Sequence, residues 1–79
     1  MSQLVSKGQR WQAKHVFRLY TAGESYLIYP SDTIEVMEDG EETIIVCGVR
    51  VCRRRVLWQG EVAFILSNRF DGESLYPLG

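Results

Sequence analysis

Histidine and cysteine are scarce in this chain, and long apolar runs are missing. His15 is the single histidine, and Cys47 and Cys52 are the two cysteines. A catalytic histidine needs a nucleophile to activate and a carboxylate to orient it, and no residue close to His15 in sequence fills either role. Two cysteines and one histidine fall short of a four-ligand structural zinc site. Cys47 and Cys52 lie in what reads as one extended strand. Their odd separation there puts them on opposite faces, out of disulfide reach, so two small, buried, reduced side chains are expected. No glycine-rich phosphate loop, serine elbow or metal-binding helix motif is present. The acids of "EDGEE" are too few and too close for a calcium loop. No enzyme activity, metal or cofactor is expected.

The apolar run Ile44–Cys47 is far shorter than the roughly 20 residues a membrane-spanning helix needs. The opening "MSQLVSKGQRW" has no apolar core of a secretory signal, so the expected compartment is the cytoplasm and no membrane partner is expected. Internal repeats and low-complexity segments are also lacking. With 79 residues, 46% hydrophobic and 24% charged, the composition is that of one ordinary globular domain. A chain of this length buries only about 60–65% of its unfolded surface, so its core is small.

What is present is alternation. From Trp11 the odd positions read Trp, Ala, His, Phe, Leu, and the even positions 12–18 read Gln, Lys, Val, Arg. That period of two describes a half-buried strand and places His15 in a partly buried row. A helix over residues 10–21 competes: Ala13, Val16, Phe17 and Tyr20 share a helical face, Ser6 and Gln9 suit a capping box, and Gly23 suits a stop. Trp, Val, Phe and Tyr favour the strand.

"TAGES" reads as a loop, "YLIY" ends at Pro30, and "TIEVM" alternates again. Asp39-Gly40 between two strand-like runs signals a hairpin. The run Thr43–Val51 starts apolar on both faces, and Gly48 within it marks a bend or bulge. Val49 and Val51 are odd while Val56 and Trp58 are even, so a one-residue slip is expected near Arg53–Arg55. "WQGE" forms a second tight hairpin, "VAFIL" returns as a strand, "SN" turns, and "RF" closes with a short pairing. The expected organisation is a flexible lead-in over 1–8, one domain over 9–70 and a C-terminal tail over 71–79.

Five or six short antiparallel strands with glycine turns describe a small all-β barrel, with an α+β arrangement (residues 10–21 helical) as the alternative. The order of elements, and the stretch "AFILSNRF" at 63–70, resemble a Src-homology-3-like barrel. In that family these eight residues would be a last strand, a single helical turn and a closing strand. The family's tyrosine-rich first motif and paired-tryptophan motif are absent. The resemblance therefore implies a fold and carries over no binding residues.

Charge is nearly balanced, nine Lys and Arg against ten Asp and Glu, but segregated. Glu35, Glu38, Asp39, Glu41 and Glu42 crowd into 35–42, and Arg50, Arg53, Arg54 and Arg55 follow. Exposed ion pairs contribute only about 0–1 kcal/mol each, so stability alone is a weak reason to collect arginines. Pairing with the acidic hairpin, or repelling stray strands at a sheet edge, explains them blandly. The sharper expectation is a patch, Arg50, Arg53, Arg54 and Arg55 with Trp58 as its apolar contact, that docks a protein partner. Nucleic-acid backbone is the alternative partner, supported by a second basic row of Arg10, Lys14 and Arg18 and opposed by a pI near 5.7. Segregated charge without catalytic residues also resembles the inhibitors of phages and other mobile elements, which would work through the acidic hairpin at 35–42. An exposed edge strand makes a homodimer a further candidate.

Overall fold

The alternation from Trp11 to Leu19 does produce strand, in two pieces. In the structure, a computed structural model that describes residues 5–78, Arg10–Ala13 is β1 and Phe17–Thr21 is β2. Lys14 and His15 bend between them, and the alternation survives the corner: Trp11, Ala13, Phe17 and Leu19 are all buried. No helix occupies 10–21, because β-favouring side chains gain more by sharing one buried face of a sheet. His15 sits on the outside of the bend, exposed, contrary to the partly buried row expected for it.

Six further strands follow: β3 (Glu24–Ile28), β4 (Thr33–Val36), β5 (Glu42–Val46), β6 (Val49–Trp58), β7 (Glu61–Leu66) and β8 (Leu75–Pro77). The chain is therefore all-β with eight strands among the described residues, rather than five or six. All pairings are antiparallel, in the order β3-β2-β7-β6-β4-β1-β8, with β5 added beside β6. Among the described residues neither β3 nor β8 has a second partner, so the sheet is open. One face holds the core: Trp11, Leu19, Ile28, Ile34, Val36, Val56, Ile65 and Leu75 are essentially inaccessible. Phe70 meets Trp11 edge-on with ring centroids 5.0 Å apart. No helix among the described residues is long and apolar enough to cross a membrane.

The hairpins fall elsewhere than Asp39-Gly40. β4 and β5 do not pair with each other; they lie end to end along one edge of β6, Val36 opposite Val56 and Glu42 opposite Arg53. Six steps along this side match three along β6, so 37–41 bulges out as a loop. Tight two-residue turns join β2 to β3 at Ala22-Gly23, inside the stretch expected to be a loop, β5 to β6 at Cys47-Gly48 and β6 to β7 at Gln59-Gly60, the last two with φ of 50° and 78°. Positive φ at both central residues is the type I′ geometry whose twist suits flanking strands. Gly48 thus separates β5 from β6 instead of bending one long strand, and Cys47 and Cys52 do not share an extended strand.

The expected slip near Arg53–Arg55 is also absent. β6 runs unbroken and pairs regularly with β7 from Arg53 to Trp58. Val49 and Val51 are out of phase with Val56 and Trp58 because they face outward, not because the strand slips.

At the C-terminus, Ser67–Arg69 is a 3-10 turn and Phe70 caps it, so "RF" is not the closing strand. That strand is β8, which pairs with β1 from inside the stretch expected to be a tail. The Asp71 carboxylate shapes the approach, accepting from the backbone N–H groups of Glu73 at 2.7 Å and Ser74 at 2.8 Å. The lead-in is likewise packed from Val5 onward: Val5 is buried, and the Gly8 N–H donates to the Val36 carbonyl at 2.8 Å. Residues 1–4 of the lead-in and Gly79 of the tail lie outside the described residues.

Candidate docking surface

Strand alternation decides where the arginines point. Arg53 and Arg55 share the outer face of β6 with Val49, Val51 and Leu57. Arg50 and Arg54 are on the other face, in phase with Val56 and Trp58. The five residues expected to form one patch are therefore divided. Trp58 leaves it altogether: it is 8% exposed, packed in the core with Tyr26 5.7 Å away. Its indole N–H, like that of Trp11, is buried and unbonded among the described residues.

Three of the four arginines engage the acidic loop. Arg53 Nε donates to Glu42 Oε2 at 3.2 Å, and its Nη2 donates to Oε1 at 3.3 Å. Arg55 Nη1 donates to Glu38 Oε1 at 2.9 Å. Arg54 Nη1 donates to the carbonyls of Asp39 at 3.1 Å and Gly40 at 3.4 Å. Arg54 and Arg55 thus tie the bulged loop to β6, and Arg53 ties the first residue of β5 to the same strand. Arg53 also lies above Phe64, 3.9 Å from the ring centroid. Arg50 is exposed and makes no side-chain hydrogen bond or ion pair among the described residues. In the second basic row, Arg18 is occupied with the Ser25 hydroxyl and Lys14 with the Tyr76 ring.

The outer face holds a feature that the charges had hidden. Tyr20, Ile44, Val46, Val51, Arg53 and Leu66 line an apolar cleft of about 390 Å³. Register explains it: Ile44 opposes Val51, Val46 opposes Val49, Arg53 opposes Leu66, and Tyr20 opposes Phe64. Val49, opposite Val46, is 61% exposed, and elsewhere on the outer face Leu27, Leu57 and Val62 are also open to solvent. The sequence carries a signal for this surface that points the wrong way. Apolar on both faces, the run Thr43–Val51 reads as a strand passing between layers. It is instead a projecting hairpin with nothing over its outer side among the described residues.

Cys47 is exposed at the hairpin tip and Cys52 is half-buried, its Sγ 3.5 Å from the Thr43 hydroxyl; both are free thiols. Neither is the buried residue expected. Among the described residues no three His, Cys, Asp or Glu side chains come together as a metal site. Among the described residues two groups have pKa values displaced from the ordinary ones. The Tyr26 hydroxyl is raised above its usual 10.0, because it donates to the Glu24 carboxylate, whose charge also opposes ionisation. Asp71 is held below its usual 3.8 by the backbone N–H groups of Ser74 and Glu73.

Compared with known proteins, the chain matches no family model, no curated protein and no solved structure.

Proposed function

We propose that the chain is a non-catalytic cytoplasmic binding module that docks a protein on the outer face of its sheet. The apolar cleft bounded by Tyr20, Ile44, Val46, Val51 and Leu66 carries this reading. Contiguous apolar surface rimmed by polar groups is what a protein interface requires and what an isolated domain avoids. Arg53 supplies the polar rim. Glu42 takes up two of its five N–H groups, and the others are open to a partner's carboxylate or carbonyl. Trp58, buried, is no anchor; Tyr20 and Val46 take that role.

The fold is read as a Src-homology-3-like barrel enlarged by β5. Support comes from the return of β8 to β1 after a single 3-10 turn, and from the succession β4, β6, β7 across one tight hairpin. Nucleic-acid binding and inhibition through the acidic loop are the weaker readings, since Glu38 and Glu42 are each tied to an arginine and neither reading uses the apolar cleft.

The test is capture from nuclease-treated lysate by wild type, Val46→Asp, and Glu73→Lys as a surface control. A stoichiometric protein retained by wild type and by the control, but lost with Val46→Asp in a folded domain, supports the proposal. Capture abolished by nuclease, with a salt slope of log K of about −3 to −4, would establish the nucleic-acid reading instead. Capture unchanged by Val46→Asp removes the cleft from the interface.

A further inference from the structure

We infer that β5 is a self-pairing edge, through which a second copy of this chain extends the sheet across a two-fold axis. The surface is backbone as well as side chain. In a two-residue hairpin the residues flanking the turn form a hydrogen-bonded pair, here Val46 and Val49. Alternation then makes Ile44 with Val51, and Glu42 with Arg53, the other bonded pairs. Thr43 and Ile45 therefore turn their N–H and C=O groups away from β6, toward the free side of β5. Among the described residues no strand other than β6 pairs with β5.

Of the sheet's free edges, this one is the least protected. β8 is three residues long and ends in Pro77. β3 opens on Glu24 and Ser25, and Pro30 follows soon after it. β5 has no charge or proline from Thr43 to Gly48, and Ile45, at 66%, is the most exposed large hydrophobic among the described residues. Natural edges generally carry some device against pairing. The absence here points to a partner strand.

The occupant is a second copy because the strand is complementary to itself. A two-fold axis normal to the sheet requires some residue to face its own equivalent. Centred on Ile44, the pairing opposes Thr43 to the partner copy's Ile45, and Ile45 to its Thr43, which satisfies four outward backbone groups on each chain. On the outer face, a central row of Val51 and Ile44 then meets the same pair from the other copy without a charge. Each flanking row sets the Glu42–Arg53 ion pair beside the other copy's Val46 and Val49. No like charges meet. The two clefts come to lie side by side on one face, so the inference extends the docking reading without depending on it.

Sedimentation equilibrium from micromolar to millimolar chain provides the first readout. Wild type should approach twice the 9.1 kDa chain mass. Ile45→Lys should weaken association at least ~tenfold. Ile45→Pro, which removes an outward N–H and leaves the β5–β6 ladder bonds in place, should do the same. Register is tested by Ile44→Cys in a Cys47→Ser, Cys52→Ser background. Directly opposed non-bonded positions have Cα atoms about 4.5 Å apart, within disulfide range, so oxidation should yield a covalent dimer, whereas Leu27→Cys on β3 should not. A monomer at every concentration overturns the inference. So does a dimer indifferent to both Ile45 variants, or cross-linking through Leu27→Cys and not Ile44→Cys. Loss of the dimer with partner capture intact would refute self-pairing alone and leave the docking proposal standing.

Discussion

Replacing Trp58 with alanine separates a core residue from a contact residue. The side chain is 8% exposed and lies against Tyr26, while Val62 on the outer face of the neighbouring strand is 46% exposed. Truncating a buried tryptophan costs about 3–5 kcal/mol, from lost burial and the cavity left behind. A 79-residue domain has only about 4–12 kcal/mol in total. Trp58→Ala should therefore remove about a quarter or more of the stability, and at the low end leave the chain largely unfolded. For a domain of this size the Tm should fall by at least about 12 °C. Val62→Ala should cost less than about 1 kcal/mol, since half of that side chain is already in water. Thermal unfolding followed by far-ultraviolet circular dichroism gives both values on one scale. Tryptophan emission provides a second check: with both indoles buried, it should be blue-shifted in the native state and move to the red in urea. A Trp58→Ala protein that melts within a few degrees of wild type and of Val62→Ala would show that the indole stands outside the core. The inward phase assigned to Val56 and Trp58 would then be wrong.

The remaining expectations concern the turns and the surface. Gly60 has φ of 78° and open space where a methyl group would stand, so Gly60→Ala should cost about 1–2 kcal/mol from backbone conformation alone, read as a shift in urea midpoint with unchanged slope. A double-mutant cycle on Arg53 and Glu42, which are 26% and 50% exposed, should give a coupling below about 1 kcal/mol. That coupling should shrink in about 1 M salt, while the one between Arg53 and Phe64 persists. Asp71 has a lowered pKa in the folded chain, so the unfolded state binds more protons near and below 3.8 and the contribution is lost as pH falls through that range. The Tm gap between wild type and Asp71→Ala should accordingly be widest near neutral pH and close in acid; a gap that widens in acid would contradict the turn geometry.

Local chemistry was enough to settle some of the short segments. Alternation at Trp11–Leu19 and the β-favouring side chains there determined strand and its buried face, and Gln59-Gly60 determined a hairpin. Pairing was another matter. Asp39-Gly40 carries the same local signal as a hairpin turn, yet β4 and β5 both take β6 as partner, because the long strand offers each more contact than they offer each other. Nothing in "TIIVCGVRV" says whether a layer will cover it, so its outward residues look like interior ones. Spacing in sequence placed four arginines and Trp58 together; the two-residue repeat of a strand then sent them to opposite faces and put the indole in the core. Sequence thus determined strand over Trp11–Leu19, its buried face, and the Gln59-Gly60 turn. Only the tertiary structure decided which sides stay in water, since exposure depends on what packs across a face, a contact between residues far apart in the chain.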